Sequence, residues 1–175
     1  YSARHLADLP DVEHVAQELW RRADEHLQAG PAPSGKYPML LANRTVGRIL
    51  GAVLSPLSGS AIWQGRSIWA EDLGQSIGAE GLNIHDDPTI PRAPGSSPFD
   101  GDGFASRPRP IIEGGVLKTF FVDLYHSRKL ERDPTTGGSS NLVVPPGSRS
   151  MEAIASDLPQ AIRVTSFLGG NTSSA

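Results

Sequence analysis

Apolar residues recur at Val12, Val15, Ala16, Leu19, Ala23 and Leu27, the three-to-four spacing of a single helix face. Asp11 can cap that helix, and Glu13 lies in its first turn, where the backbone dipole favours negative charge. Gly30 and the Pro-Ala-Pro-Ser-Gly run ending at Gly35 close the helix and read as a linker, and Tyr37 to Leu41 reads as a short strand. A second helical pattern follows at Val46, Ile49, Leu50, Val53 and Leu54, with Asn43 or Thr45 placed to cap it. Then comes Ser55-Pro56. Proline has no backbone N–H to give a helix interior but suits the first turn of a new helix. The reading is a kink or restart with Ser55 as cap. The small residues Ser58, Gly59, Ser60 and Ala61 would allow close packing there, and Trp63 and Trp69 would cover a core or a subunit surface.

Beyond Trp69 a short helix to about Ile77 is expected, then a strand over Leu82 and Ile84 that ends at His85-Asp86-Asp87-Pro88. Residues 88–110 are rich in proline and form a long loop, a length usually tied to function or flexibility. The run from Pro110 to Asp123 places two β-rich stretches around Gly114-Gly115 and signals a hairpin. A short helix from Tyr125 to Leu130 comes next, then a Gly/Ser/Thr loop from Thr135 to Ser140 and a strand from Asn141 to Val144. A helix from Met151 to Leu158 and a strand from Ala161 to Leu168 complete the pattern. Hairpins interleaved with helices argue an α+β fold: a mixed, largely antiparallel sheet packed against helices.

Composition narrows the function. The chain has 175 residues, 38% of them hydrophobic, enough for one domain or one domain with an appended element. Its 19 glycines and 15 prolines point to many turns rather than a helical bundle. The net charge of −3 gives no basic excess for nucleic acid. No apolar run approaches membrane-spanning length, so no membrane partner is expected. Absence of cysteine excludes disulfides, thiolate nucleophiles and cysteine zinc sites. The chain begins at Tyr1 and stops in a polar stretch at Ala175, so a fragment of a longer polypeptide is expected.

Three chemical constellations stand out. His85, Asp86 and Asp87 could offer oxygen and nitrogen ligands to a metal. The plainer reading is a strand end, where successive residues face opposite sides. Asp100-Gly101-Asp102-Gly103 opens like a calcium loop, but Phe104 and Ile111 occupy ligand positions, which leaves a turn. Ser55, Ser58 or Ser60 with His85 or His126 would suit a hydrolase, yet no G-x-S-x-G elbow occurs. The cationic groups Arg107-Pro108-Arg109 and Arg128-Lys129 with Arg132 read as solvated.

Several segments together resemble one family. LSPLSGSAIWQGRS (54–67), LNIHDDPTIPRAPGSSPFDGDGFASRP (82–108), IIEGGVLKTFFVDLYHSRKL (111–130) and VTSFLGGNTSSA (164–175) look like the TldD/PmbA family, on its PmbA (TldE) side. SARHLADLPDVEHVAQE (2–18) has the look of the helix that opens the matching region. The resemblance implies residues 1–35 as a linking helix and linker from a preceding domain, and residues 36–175 as part of a TldD/PmbA C-terminal domain. It implies a cytoplasmic metallopeptidase of TldD-like and TldE-like chains that encloses a chamber for unfolded or extended peptides. A homodimer is a second arrangement it allows.

In the TldD branch, zinc is carried by an H-E-x-x-x-H helix. Laid on this chain, that motif places its first His at Ser55, its Glu at Pro56 and its second His at Ser60. Hydroxyls are poor zinc ligands beside imidazole, and proline cannot take a proton from water. The resemblance therefore implies a non-catalytic subunit with no metal of its own, zinc being expected only in a TldD-like partner. Candidate peptide contacts are Ser58, Ser60, Ser96, Ser97, Phe99, Gly137, Gly138 and Ser139. Two other readings stay open: a stand-alone peptidase or hydrolase with a metal at His85, Asp86 and Asp87 or outside the fragment, and a peptide-binding or assembly protein without protease activity.

Overall fold

A computed structural model describes residues 2–27, 30, 31, 33–167 and 169. The fold is α+β and mixed, with a four-stranded antiparallel sheet packed against helices and a separate parallel strand pair. The elements are α1 (Val12–Leu27), β1 (Met39–Leu41), α2 (Asn43–Leu54), α3 (Gly59–Trp63), β2 (Ile84–Asp86), β3 (Arg109–Glu113), β4 (Val116–Leu117), α4 (Leu124–Leu130), β5 (Leu142–Val143), α5 (Met151–Ser156) and β6 (Ile162–Val164). Strand order in the main sheet is β4-β3-β2-β5.

The Gly114-Gly115 hairpin joins β3 to β4 as expected. Both glycines have positive φ, 57° and 77°, the left-handed pair that a tight two-residue hairpin requires. A Cβ at Gly115 would also stand 2.5 Å from the Gly78 carbonyl oxygen. Opposite β2 the register slips between Ile84 and His85, where Ile84 faces Ile112 but His85 faces Pro110. One extra residue on β3 is accommodated there, beside a proline that has no ladder N–H to lose. Ile111 and Ile112, adjacent in the chain, are consequently both fully buried. With Leu57, Ile84, Leu117, Phe120, Phe121 and Val122 they form the core, and Leu50, Ile62 and Trp69 pack at its edge.

The kink after α2 is present, but its cap lies three residues later than expected. Ser55, Pro56 and Leu57 continue α2 as a 3₁₀ turn, with Ser55 still helical and Pro56 buried. The chain becomes extended at Ser58, whose hydroxyl accepts the Ala61 N–H at 3.2 Å and caps α3. A proline near the start of a 3₁₀ turn loses no hydrogen bond, so the break falls only after that turn has closed. Ser58→Ala is expected to cost about 1 kcal/mol, read as a lower urea midpoint. Neither Asn43 nor Thr45 caps α2: Ala42 holds the cap position, and the buried Thr45 hydroxyl donates to Ala42 O at 2.7 Å.

Residues 69–77 are not helical. They run through turns and then beside β4, where Leu117 donates to Gln75 O at 2.9 Å and Ile77 donates to Gly115 O at 2.8 Å. Gly74, at φ 81°, breaks the helical path, and the open edge of β4 supplies the competing hydrogen bonds. The shorter elements keep their expected places: Asp123 caps α4, Ser150 caps α5, and β6 covers Ile162–Val164, while Leu168 lies outside the described residues. Pairing of β6 with β1 is parallel, Met39 facing Ile162 and Leu41 facing Val164. Of the two tryptophans that follow α2, Trp69 packs on the core and donates its ring N–H to Val53 O, whereas Trp63 is half exposed.

Helix α1 forms over the expected span, yet none of its residues is buried, and Val12, Trp20 and Leu27 stand in solvent. Among the described residues no helix is long and apolar enough to cross a membrane.

Candidate functional site

The sheet ends that converge on one side of the molecule carry a buried ion pair. Ile84 and Asp86 alternate with His85 on β2, and both are buried. Asp86 therefore points inward, directly across from Arg109 on β3. Arg109 Nη2 meets Asp86 Oδ2 at 3.2 Å, with only 12% and 4% of the two side chains exposed. The other Asp86 oxygen accepts both the backbone N–H and the hydroxyl of Ser140, at 2.7 and 2.6 Å. Arg109 also donates to the carbonyls of Thr135 and Gly138, and its guanidinium lies 5.1 Å from the Phe121 ring centre. Burial pushes the Arg109 guanidinium down from its ordinary value, and Asp86 works against that shift. Arg109 is thus structural rather than solvated. Arg132 is also partly buried, stacked on Phe120 at 5.0 Å and donating to Ala70 O.

These bonds fasten the 135–140 loop to the sheet. Thr135 adds two more, donating its hydroxyl to Phe120 O at 2.6 Å and accepting the Val122 N–H at 3.0 Å. Asn141 ties the same loop to the 88–98 segment: its Oδ1 accepts the Gly95 N–H at 2.9 Å, and its amide donates to Asp87 O and to the Ser96 hydroxyl. Between the two loops and the start of α4 lies an open cleft of about 460 Å³. Ser97, Phe99, Gly137, Gly138 and Ser139 line it, together with Asp100, Asp102, Arg107 and Asp123.

Five of the eight sequence-predicted contacts therefore share one cavity. The other three lie elsewhere. Ser96 faces a neighbouring hollow, and its hydroxyl donates to Ile90 O at 2.6 Å, so it supports the wall from behind. Ser58 and Ser60 do not line the cleft: Ser58 caps α3, and Ser60 accepts from the Gln64 amide at 2.7 Å. The α3 segment packs on α4 instead. Gly59 donates to Phe121 O at 2.7 Å, and a Cβ at Gly59 would stand 2.7 Å from the His126 Cβ.

His126 is held by Asp123, which caps α4 and accepts from its ring Nδ1 at 2.8 Å. Burial opposes ionisation of Asp123, but the backbone N–H and ring of His126 outweigh it and keep the carboxyl below its usual range. Asp100 orders the cleft rim, one oxygen accepting from the backbone N–H groups of Asp102 and Phe104. That loop is a small hairpin, closed by a Phe99–Ala105 bridge.

No metal chemistry assembles at the sequence candidates. Asp86 is consumed by Ser140 and Arg109, and Asp87 accepts from the Thr89 hydroxyl and N–H, which hold its carboxyl below the usual range. His85 lines a different hollow, with Pro110 and Val143. Among the described residues no group of three His, Asp or Glu side chains could hold a metal. Zinc does not fit at positions 55, 56 and 60 either: the donor set is two hydroxyls and a proline, and the Ser55 hydroxyl donates to Ala52 O. The ion pair and the Asn141 link were missed in the sequence. The usable signal was Asp86, two residues from Ile84 on a strand, which had to be buried and so needed a cation.

The architecture is thus an α+β domain with an open cleft between loops that leave its four-stranded sheet. Residues 34–175 match the family described as PmbA/TldA metallopeptidase C-terminal domain, and the chain belongs to that PmbA/TldD family. A PmbA metalloprotease homologue of Buchnera aphidicola is 29% identical over 169 residues, covering 95% of this chain and 38% of the relative. The crystal structure of a modulator of DNA gyrase from Bacteroides thetaiotaomicron superposes with a TM-score of 0.91 at 33% identity, covering 98% of this chain and 39% of that one. A protein of the same description from Thermotoga maritima gives 0.87 at 28% identity, covering 95% and 40%. The chain thus spans about two fifths of the length of the relatives it matches.

Proposed function

We propose that this chain belongs to a TldE-like subunit of a cytoplasmic two-subunit metallopeptidase. It completes the chamber and holds an extended peptide, while a TldD-like partner carries the zinc. The observation behind this reading is the donor set at Ser55, Pro56 and Ser60. Imidazoles and a carboxylate are replaced there by two hydroxyls engaged with Ala52 O and Gln64, and by a buried proline. Neither hydroxyls nor proline can hold zinc strongly or accept a proton from its water.

The cleft supports the second half of the proposal. Gly137 and Gly138 bring bare backbone to one wall, and Phe99, 60% exposed, offers apolar area on the other. Backbone pairing with an extended peptide gives affinity with little demand on its sequence. On this reading residues 1–35 are the link from a preceding domain.

The test is metal content and cleavage of unfolded casein by the purified full chain, alone and with an H-E-x-x-x-H-containing partner. Substoichiometric zinc, no cleavage alone and cleavage by the pair are expected. Stoichiometric zinc with cleavage by the isolated chain would overturn the proposal.

A further inference from the structure

Residues 2–10 lie outside the cleft, yet they grip its wall at two points. Arg4 Nη2 donates to the Ser96 carbonyl at 2.8 Å. Asp8 Oδ1 pairs with Arg92 Nη2, also at 2.8 Å. Both targets belong to the 88–98 segment, which runs directly into Phe99 on the cleft.

Ser96 is the junction of the two walls. Its hydroxyl donates to Ile90 O and accepts from the Asn141 side-chain amide, whose Oδ1 holds the Gly95 N–H. Arg4 thus holds the peptide unit that leads from this junction to Ser97. Arg92 has φ 63°, a left-handed conformation that side chains other than glycine rarely adopt. Such a residue persists where its surroundings hold it, and Asp8 supplies one of those holds. Helix α1 follows Asp8 closely, so the same segment ties that helix to the cleft wall.

We infer that Arg4 and Asp8 are positioning residues for the cleft, strapping the 88–98 wall in the place where it meets a peptide. The inference rests on reading the cleft as the peptide site. A purely structural role would lower global stability, whereas a positioning role changes the local order of the wall and the affinity for peptide.

The experiment uses the full chain with Arg4→Ala, Asp8→Arg, and Asp8→Arg combined with Arg92→Asp. Aspartate tolerates the left-handed conformation better than most residues, so the charge swap carries little backbone penalty. Amide hydrogen exchange of residues 93–98 is read by mass spectrometry, and binding of fluorescein-labelled casein peptide by anisotropy. Each single variant is expected to speed exchange there and to weaken probe binding about threefold, the scale of one exposed ion pair, with Tm unchanged. The swap should restore both. Unchanged exchange in both single variants, or a swap that restores nothing, would overturn the strap. Were the unmodified chain to bind no probe, the peptide reading would fall and exchange alone would decide the strap.

Discussion

Asp86→Ala is expected to destabilise the fold by about 3–5 kcal/mol, the scale for removing one partner of a buried ion pair. Arg109 would keep the carbonyls of Thr135 and Gly138 and the face of Phe121, but no countercharge. Ser140 would lose the acceptor for its N–H and its hydroxyl together. Since Asp86 is only 3% exposed, solvent cannot replace the missing oxygens. Urea unfolding followed by tryptophan fluorescence measures the loss. The double replacement Asp86→Leu with Arg109→Met should recover much of it, because apolar pairs of similar volume avoid the desolvation cost. A loss below about 1 kcal/mol in the single variant would mean the pair behaves as an exposed one.

Gly95→Ala should be the most damaging small substitution at the cleft. The new Cβ would stand 2.1 Å from the Ser140 carbonyl oxygen and 2.9 Å from Asn141 Oδ1. No flexible side chain can retreat there, since Ser140 is fixed by Asp86 and Asn141 by Asp87 and Ser96. The two walls must move apart. Overpacking of this kind costs about 3 kcal/mol, and here it also separates the loops that form the cleft. Gly138→Ala, where an added Cβ meets nothing within 4 Å, is the matched control and should stay within about 0.5 kcal/mol. Thermal unfolding of the two variants side by side makes the comparison, and equal Tm values would refute the close wall-to-wall contact.

How much of this was legible depended on how far apart the interacting residues lie. The Gly114-Gly115 hairpin, the short helices α4 and α5 and the break after α2 were readable because each is written within a few residues. The cap of α3 moved from Ser55 to Ser58 because a 3₁₀ turn and a helix restart look alike around a proline. Residues 69–77 were misread because the edge of β4, which decides their path, comes forty positions later. The same limit hid Arg109, whose countercharge lies 23 residues away, and Asn141, whose Gly95 contact spans 46. Of the eight candidate contacts read from the sequence, five line the cleft, Ser96 backs its wall, and Ser58 and Ser60 lie at the start of α3, away from it.

The parallel clasp of β1 and β6 has a consequence for how the chain folds. Thr45 and Val164, bonded at its end, lie 119 positions apart, and only three residue pairs hold the strands together. Closing so long a loop in an unfolded chain carries an entropic cost that grows with its length. Assembly of the four-stranded sheet shortens the remaining loop, so the clasp is expected to form late, contacts this distant being slow to form.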